Sequence, residues 1–261
     1  MQEQFSRTCM LLGQPAVETL MNSRVAVFGV GGVGGYVVEV LARSGVGTLD
    51  IIDNDCVSMS NINRQIIALH STVGQLKVDV AEMRIMDINP QCKVNKYPMF
   101  YLPDNADSIN LAEYDYVVDC IDTVTAKIEL IKRCHSLGVP VISCMGAANK
   151  LDATAFRVAD INKTKMDPLA KVIRKKMREL DIKHLKVVYS EEQPLKPIVQ
   201  SGYMDENSSK SSTEDDYNIN DNQNSNDTKR TVPASNAFVP AAAGLIAGGE
   251  VVKDLIKTAH T

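Results

Sequence analysis

Tight apolar runs alternate with longer stretches of mixed apolar and polar residues through most of this chain. The runs predict strands over 24–29, 48–53, 93–97, 116–119, 139–143 and 153–158, mostly parallel to one another. The stretches between them predict helices over 34–44, 77–89 and 126–137, and a further one over 167–180. In that last helix Leu169, Ile173, Met177 and Leu180 recur at helical spacing, so one face docks on the body. A late apolar stretch, 237–246, is too short and too quickly charged to cross a bilayer, and reads as a helix returning to cover the sheet. The expected fold class is α/β, a mostly parallel sheet with helices on both faces. Five regions follow: an N-terminal helical arm (1–22), the β/α body (23–160), a basic helical segment (161–204), a low-complexity stretch (205–230) and a closing segment (231–261). The low-complexity stretch is rich in Asn, Ser, Asp and Lys with almost no aliphatics, and is expected to be disordered.

The first predicted strand runs straight into Gly29, Gly31, Gly32 and Gly34, a GxGxxG turn that opens a helix, and the next strand ends at Asp53. Missing side chains at such a turn let backbone N–H groups and a helix N-terminus approach phosphates, while an acid at the following strand end accepts ribose hydroxyls. The body is therefore Rossmann-like and binds a nucleotide. A hydride-transfer site needs an apolar nicotinamide slot, but the residues that follow are cations, amides and acids: Asp55, Asn61, Arg64, Gln65, Lys77, Asp119 and Asp122. Such groups suit a triphosphate. Arg64 and Lys77 neutralise charge on a leaving pyrophosphate, Asn61 and Gln65 fix its oxygens, and Asp122 holds a bridging Mg2+. Asp119 either points at the nucleotide or caps the next helix.

Read together, the glycine turn, the Asp53-x-Asp55 strand tip, Ser60-Asn61-x-x-Arg64-Gln65, Lys77 and Asp119-x-x-Asp122 resemble the ThiF/MoeB and ubiquitin-activating superfamily of ATP-dependent adenylating enzymes. A narrower match runs through Phe5-Ser6-Arg7-Thr8, 63–66, 68–74, Ile88-Asn89-Pro90, 143–150, 167–170 and 188–194. Over roughly 1–200 and 231–256 it resembles the tRNA threonylcarbamoyladenosine dehydratase family. The resemblance implies an ATP- and Mg2+-dependent enzyme that adenylates the threonyl carboxylate of a modified tRNA nucleoside and closes a ring as AMP leaves. It implies Asp53 as ribose ligand, Lys77 and Arg64 as phosphate cations and Asp122 as metal carboxylate. It also implies a homodimer, in which Arg7 reaches the neighbouring subunit's triphosphate. A monovalent cation in the site and a sulfur-transfer partner protein are both compatible with it.

Composition adds three constraints. Six scattered cysteines, Cys9, Cys56, Cys92, Cys120, Cys134 and Cys144, include no CxxC pair, which argues against the structural zinc of sulfur-carrier activators and fits a reduced, cytoplasmic setting. Cys120 and Cys144 read as small buried residues; Cys144, at a strand end, is the better nucleophile candidate, though carboxylate adenylation needs no thiol. The histidines form no ligand set, and His70 reads as structural. A formal charge of -4 is unexpected for a tRNA enzyme, but Lys171, Arg174, Lys175 and Arg178 line one helix face and form a candidate RNA contact. Gln2, Glu3 and Gln4 supply no apolar leader, and no membrane association is expected. Two rivals remain: an activator of a ubiquitin-like or sulfur-carrier protein C-terminus, and a non-catalytic nucleotide module or plain dehydrogenase.

Overall fold

A computed structural model of the chain describes residues 3–198 and 233–258. The low-complexity stretch 205–230 and the adjoining end of the basic segment lie outside these residues. Two N-terminal helices, α1 (Ser6–Leu12) and α2 (Gln14–Asn22), lead into β1 (Arg24–Phe28). Then come α3 (Gly34–Ser44), β2 (Thr48–Ile52), α4 (Lys77–Ile88), β3 (Lys93–Tyr97), β4 (Tyr116–Asp119), α5 (Val124–Leu137) and β5 (Val141–Cys144). The chain closes with β6 (Phe156–Asp160), α6 (Pro168–Glu179), β7 (Lys186–Ser190) and α7 (Val239–Thr258).

The seven strands form one sheet in the order β3-β2-β1-β4-β5-β7-β6. All pairs are parallel except β6 with β7. The chain winds outward from β1 to β3 and then returns to β4 on the other side of β1, which opens a crevice at the carboxyl ends of β1 and β4. Alternate β1 residues serve opposite layers. Val25 and Val27 pack with α3, α4 and α7, whereas Ala26 and Phe28 pack with Leu130 and Cys134 of α5. A third cluster joins Ile173 and Met177 of α6 to Val187 and Tyr189 of β7.

Three elements differ from the sequence reading: the closing helix, read over 237–246, runs Val239–Thr258, and two strands depart from it. The strand β7 was not anticipated, because Lys186 and Glu191 bracket its short run and mask it. The strand expected at 153–158 begins three residues later, at Phe156, and runs antiparallel. The closing helix α7 lies against α3 at glycine distance: a Cβ on Gly244 would fall 2.3 Å from the Val33 carbonyl oxygen, and one on Gly248 would fall 2.7 Å from Val40 Cβ. Asp254 ties the same helix to the sheet, accepting from Lys186 Nζ at 2.6 Å and from the Tyr116 hydroxyl at 2.8 Å.

Candidate functional site

The glycine turn sits on the crevice between β1 and β4. Gly29 has a φ of 87°, and a Cβ there would lie 2.7 Å from the Cys120 carbonyl oxygen. A Cβ on Gly34 would lie 1.8 Å from the Gly29 carbonyl oxygen, so the turn closes onto the first residue of α3 only because both positions lack side chains. Asp53 braces the turn: its Oδ2 accepts from the Val30 N–H at 2.7 Å and its Oδ1 from the Asp55 N–H at 2.9 Å. Burial pushes the Asp53 carboxyl up and neighbouring Lys77 pulls it down, with the net direction upward.

Lys77 is the first residue of α4 and is 5% exposed. Its Nζ lies 2.7 Å from the exposed Asp55 and 3.6 Å from the shielded Asp53, so three residues singled out in the sequence form one charge group that runs from the interior to the surface. Arg64 is half-buried against the turn, its Cγ 3.4 Å from where a Gly32 Cβ would stand. Its guanidinium donates to the Ser60 carbonyl and to Asn63 Oδ1, both at 2.9 Å, and has no carboxylate partner among the described residues. Burial lowers its pKa, the direction expected of a cation with no counter-charge. Gln65 is buried with Oε1 unpartnered, and its Nε2 lies 3.9 Å from the Cβ position of Gly31. An orphaned acceptor beside bare glycines fits a cradle that a nucleotide's donors would complete. Asn61 is committed locally, its Oδ1 accepting the Ser58 N–H at 3.1 Å.

The ends of β4 and β5 hold a group that the sequence did not disclose. Lys127 of α5 is fully buried and donates to Asp119 at 2.7 Å, Ser143 at 3.2 Å and the Cys144 carbonyl at 3.0 Å. Asp119 is thereby a structural anchor, and its other oxygen accepts the Ile121 N–H at 3.1 Å. The signal was present: Lys127 sits among Ala126, Leu130, Ile131 and Cys134 on the apolar stripe of α5, where a solvated lysine does not belong. Asp122, on the loop that leaves β4 beside Gly29, is exposed and makes no ion pair among the described residues. One carboxylate completed by phosphate oxygens and water suits Mg2+. Among the described residues no three His, Cys, Asp or Glu side chains gather as a metal set. Cys144 is buried, its Sγ 3.8 Å from that of Cys120, and the contact together with burial pushes the Cys120 thiol well up. His70 is exposed.

A third buried lysine joins the site to the basic helix. Lys150 donates to the Gly146 carbonyl at 2.6 Å and to Asp167 at 3.0 Å, while Asp167 Oδ1 caps α6 through the Ala170 N–H. On α6, Lys171, Lys175 and Arg178 are exposed; Arg174 turns inward to the Thr164 carbonyl at 2.9 Å. Arg7 is exposed on α1, away from any ion pair among the described residues. No helix among these residues is long and apolar enough to cross a membrane.

A glycine turn at a topological switch, a braced acid at the next strand end, a buried lysine and a half-buried arginine define a nucleotide-binding protein of the doubly wound α/β class. The chain belongs to the ThiF family, whose family model matches residues 5–260, and within it to the tRNA threonylcarbamoyladenosine dehydratase branch. It is 46% identical over 258 residues to the Bacillus subtilis tRNA threonylcarbamoyladenosine dehydratase, covering 98% of this chain and 96% of that protein. Crystal structures of the E. coli enzyme TcdA with AMP and with ATP match at TM-scores of 0.81 and 0.80, with 30% identity over 99% of this chain and 96% of theirs. A more distant relative, the adenylyltransferase and sulfurtransferase UBA4 of Candida glabrata, is 37% identical over 54% of this chain and 33% of its own length.

Proposed function

We propose that this protein dehydrates threonylcarbamoyladenosine in tRNA at the expense of ATP. The threonyl carboxylate attacks the α-phosphorus, pyrophosphate departs, and a nitrogen or oxygen of the same side chain then attacks the acyl carbon and expels AMP. The oxygen of the lost water leaves with AMP. Near-complete coverage at 46% identity with the Bacillus dehydratase is the observation that carries this reading.

The geometry supports a division of labour. The turn from Gly29 to Gly34 and the N-terminus of α3 receive phosphates, and Asp53 takes the ribose hydroxyls. Lys77 and Arg64 stabilise the charge that develops on pyrophosphate. Gln65 orients the nucleotide, with Asn61 fixing the turn before it through its bond to Ser58 and Asp55 holding the lysine in place. Asp122 would hold Mg2+, which would supply charge neutralisation for the phosphates. Arg7 acts on the triphosphate of a partner subunit in a homodimer. The exposed cations Lys171, Lys175 and Arg178 hold the tRNA backbone, and a cytoplasmic location is consistent with that substrate. Arg174 contributes by fixing the helix.

The partial match to UBA4 supports one alternative, the same adenylation directed at a protein C-terminus. One experiment separates them. Protein, ATP and Mg2+ are incubated with tRNA from a strain lacking this activity, and the nucleoside mass is measured. Loss of one water supports the dehydratase; an unchanged nucleoside, with pyrophosphate released only when a ubiquitin-like protein is added, supports the alternative.

A further inference from the structure

The segment just before α7 crosses the molecule beside the glycine turn, and polar contacts hold it there. Asn149, in the loop after β5, has a φ of 60°, a left-handed conformation that asparagine tolerates better than most residues. Its backbone N–H donates to the Ala234 carbonyl at 2.8 Å, and its Oδ1 accepts the Ala234 N–H at 2.8 Å. Its own carbonyl accepts the Leu195 N–H at 2.7 Å. Two residues on, Asn236 Nδ2 donates to the Lys150 carbonyl at 2.8 Å, and its Oδ1 accepts the N–H groups of Phe238 and Val239 at the start of α7.

Between these anchors Ser235 presents its carbonyl to Asn63 Nδ2 at 3.1 Å. Asn63 Oδ1 in turn accepts from Arg64 Nη1 at 2.9 Å. Pro240 closes the arrangement, its Cβ 3.3 Å from the Cβ position of Gly32, where Arg64 also rests. Asn63 is an exposed side chain, and a single hydrogen bond at the surface competes with water. It holds one direction only because the carbonyl it meets belongs to a segment fixed at both neighbours. A guanidinium needs such fixing, since its bonds to phosphate depend on the orientation of a planar fork.

We propose that residues 233–236 are a fixed strap that positions Arg64, with Asn149 as its anchor and Asn63 as the link to the guanidinium. Both asparagines are positioning residues: they set where the cation stands. The inference rests on the reading that Arg64 meets the triphosphate of ATP.

The test compares ATP and AMP affinity for the full-length protein and four variants: Asn149→Gly, Asn149→Asp, Asn63→Ala and the double Asn149→Gly/Asn63→Ala. Glycine accepts the left-handed backbone and keeps its two hydrogen bonds but deletes Oδ1; aspartate keeps the acceptor. Asn149→Gly and Asn63→Ala are each expected to weaken ATP binding roughly tenfold, the size of one lost hydrogen bond, with AMP within about twofold of the parent. Asn149→Asp restores ATP binding, and the double variant is no worse than the weaker single, because both act through one strap. Parent-like ATP affinity in either single variant, equal losses for ATP and AMP, or losses that multiply in the double would overturn the strap. A parent protein that binds neither nucleotide overturns the functional reading itself, and the inference with it.

Discussion

At the residue scale the central group is Lys77 between Asp53 and Asp55. Removing the ammonium leaves a buried carboxylate facing a second one and, on the proposed role, takes away a cation from the pyrophosphate. Lys77→Ala is therefore expected to lower turnover by about 100- to 1000-fold, the range seen when one preorganised charge is lost. Steady-state pyrophosphate release checks this, and unchanged turnover refutes the role. The same group sets a pH dependence. Burial outweighs Lys77 and raises the Asp53 pKa, so the ionised form proposed to accept ribose hydroxyls is lost on acidification earlier than for an ordinary aspartate. Adenosine affinity should fall as pH drops through that raised value, and Lys77→Ala should move the fall to still higher pH. Identical pH profiles for the two proteins would contradict the assignment. Asp53, Lys77 and the glycines were legible because a turn and two element ends place them within one local β/α unit. The partners of Lys127 and Lys150 were not: the apolar stripe of α5 marks Lys127 as buried, but each lysine pairs with a carboxylate on another element, which spacing along the chain does not reveal.

At the scale of elements, α7 and α6 carry the testable packing. Gly244 leaves no room for a methyl group against the Val33 carbonyl, and Val33 is the residue that enters α3 from the turn. Gly244→Ala should cost about 1–3 kcal/mol by overpacking and weaken ATP binding as α3 shifts; denaturant melts and titration measure both. Asp254 adds a second tie. Burial pushes its carboxyl up, but its bonds to Lys186 and Tyr116 outweigh this and hold it below the usual value. A depressed carboxylate stabilises the fold above its unfolded pKa, and that contribution is lost as pH falls through the folded one. Asp254→Asn should thus lower stability near neutral pH and narrow the difference from the parent in acid. On α6 the amphipathic spacing foretold a docked face, and Ile173 and Met177 are buried, but Leu180, read on the same face, caps the helix and is exposed. It also grouped Arg174 with the exposed cations, because helical offsets do not show that Thr164 folds back within reach of that guanidinium.

At the scale of the whole molecule, the parallel half of the sheet followed from repeated β/α units, each closed by its own apolar run. The β6–β7 pair did not, since its antiparallel register joins residues about thirty apart with a helix between them. That addition places α6 beside the site: Lys150 reaches from the loop after β5 to the cap of α6, so the proposed RNA face and the nucleotide cradle share one framework. Reversing Lys171, Lys175 and Arg178 to glutamate should weaken tRNA binding and flatten its log–log salt slope by about 2–3, one unit per lost phosphate contact. An unaltered slope would exclude this face. Arg7 tests assembly. If it acts across a dimer, mixing an Arg7→Ala chain with an Asp122→Ala chain restores part of the activity that each lacks alone.

The central claim is that this cradle activates a carboxylate carried by tRNA. Pyrophosphate exchange into ATP, measured with tRNA that carries the threonylcarbamoyl group and with tRNA that lacks it, tests this directly. The account predicts exchange only with the carboxylate-bearing tRNA. Exchange that is absent with both, or equal with both, would contradict it.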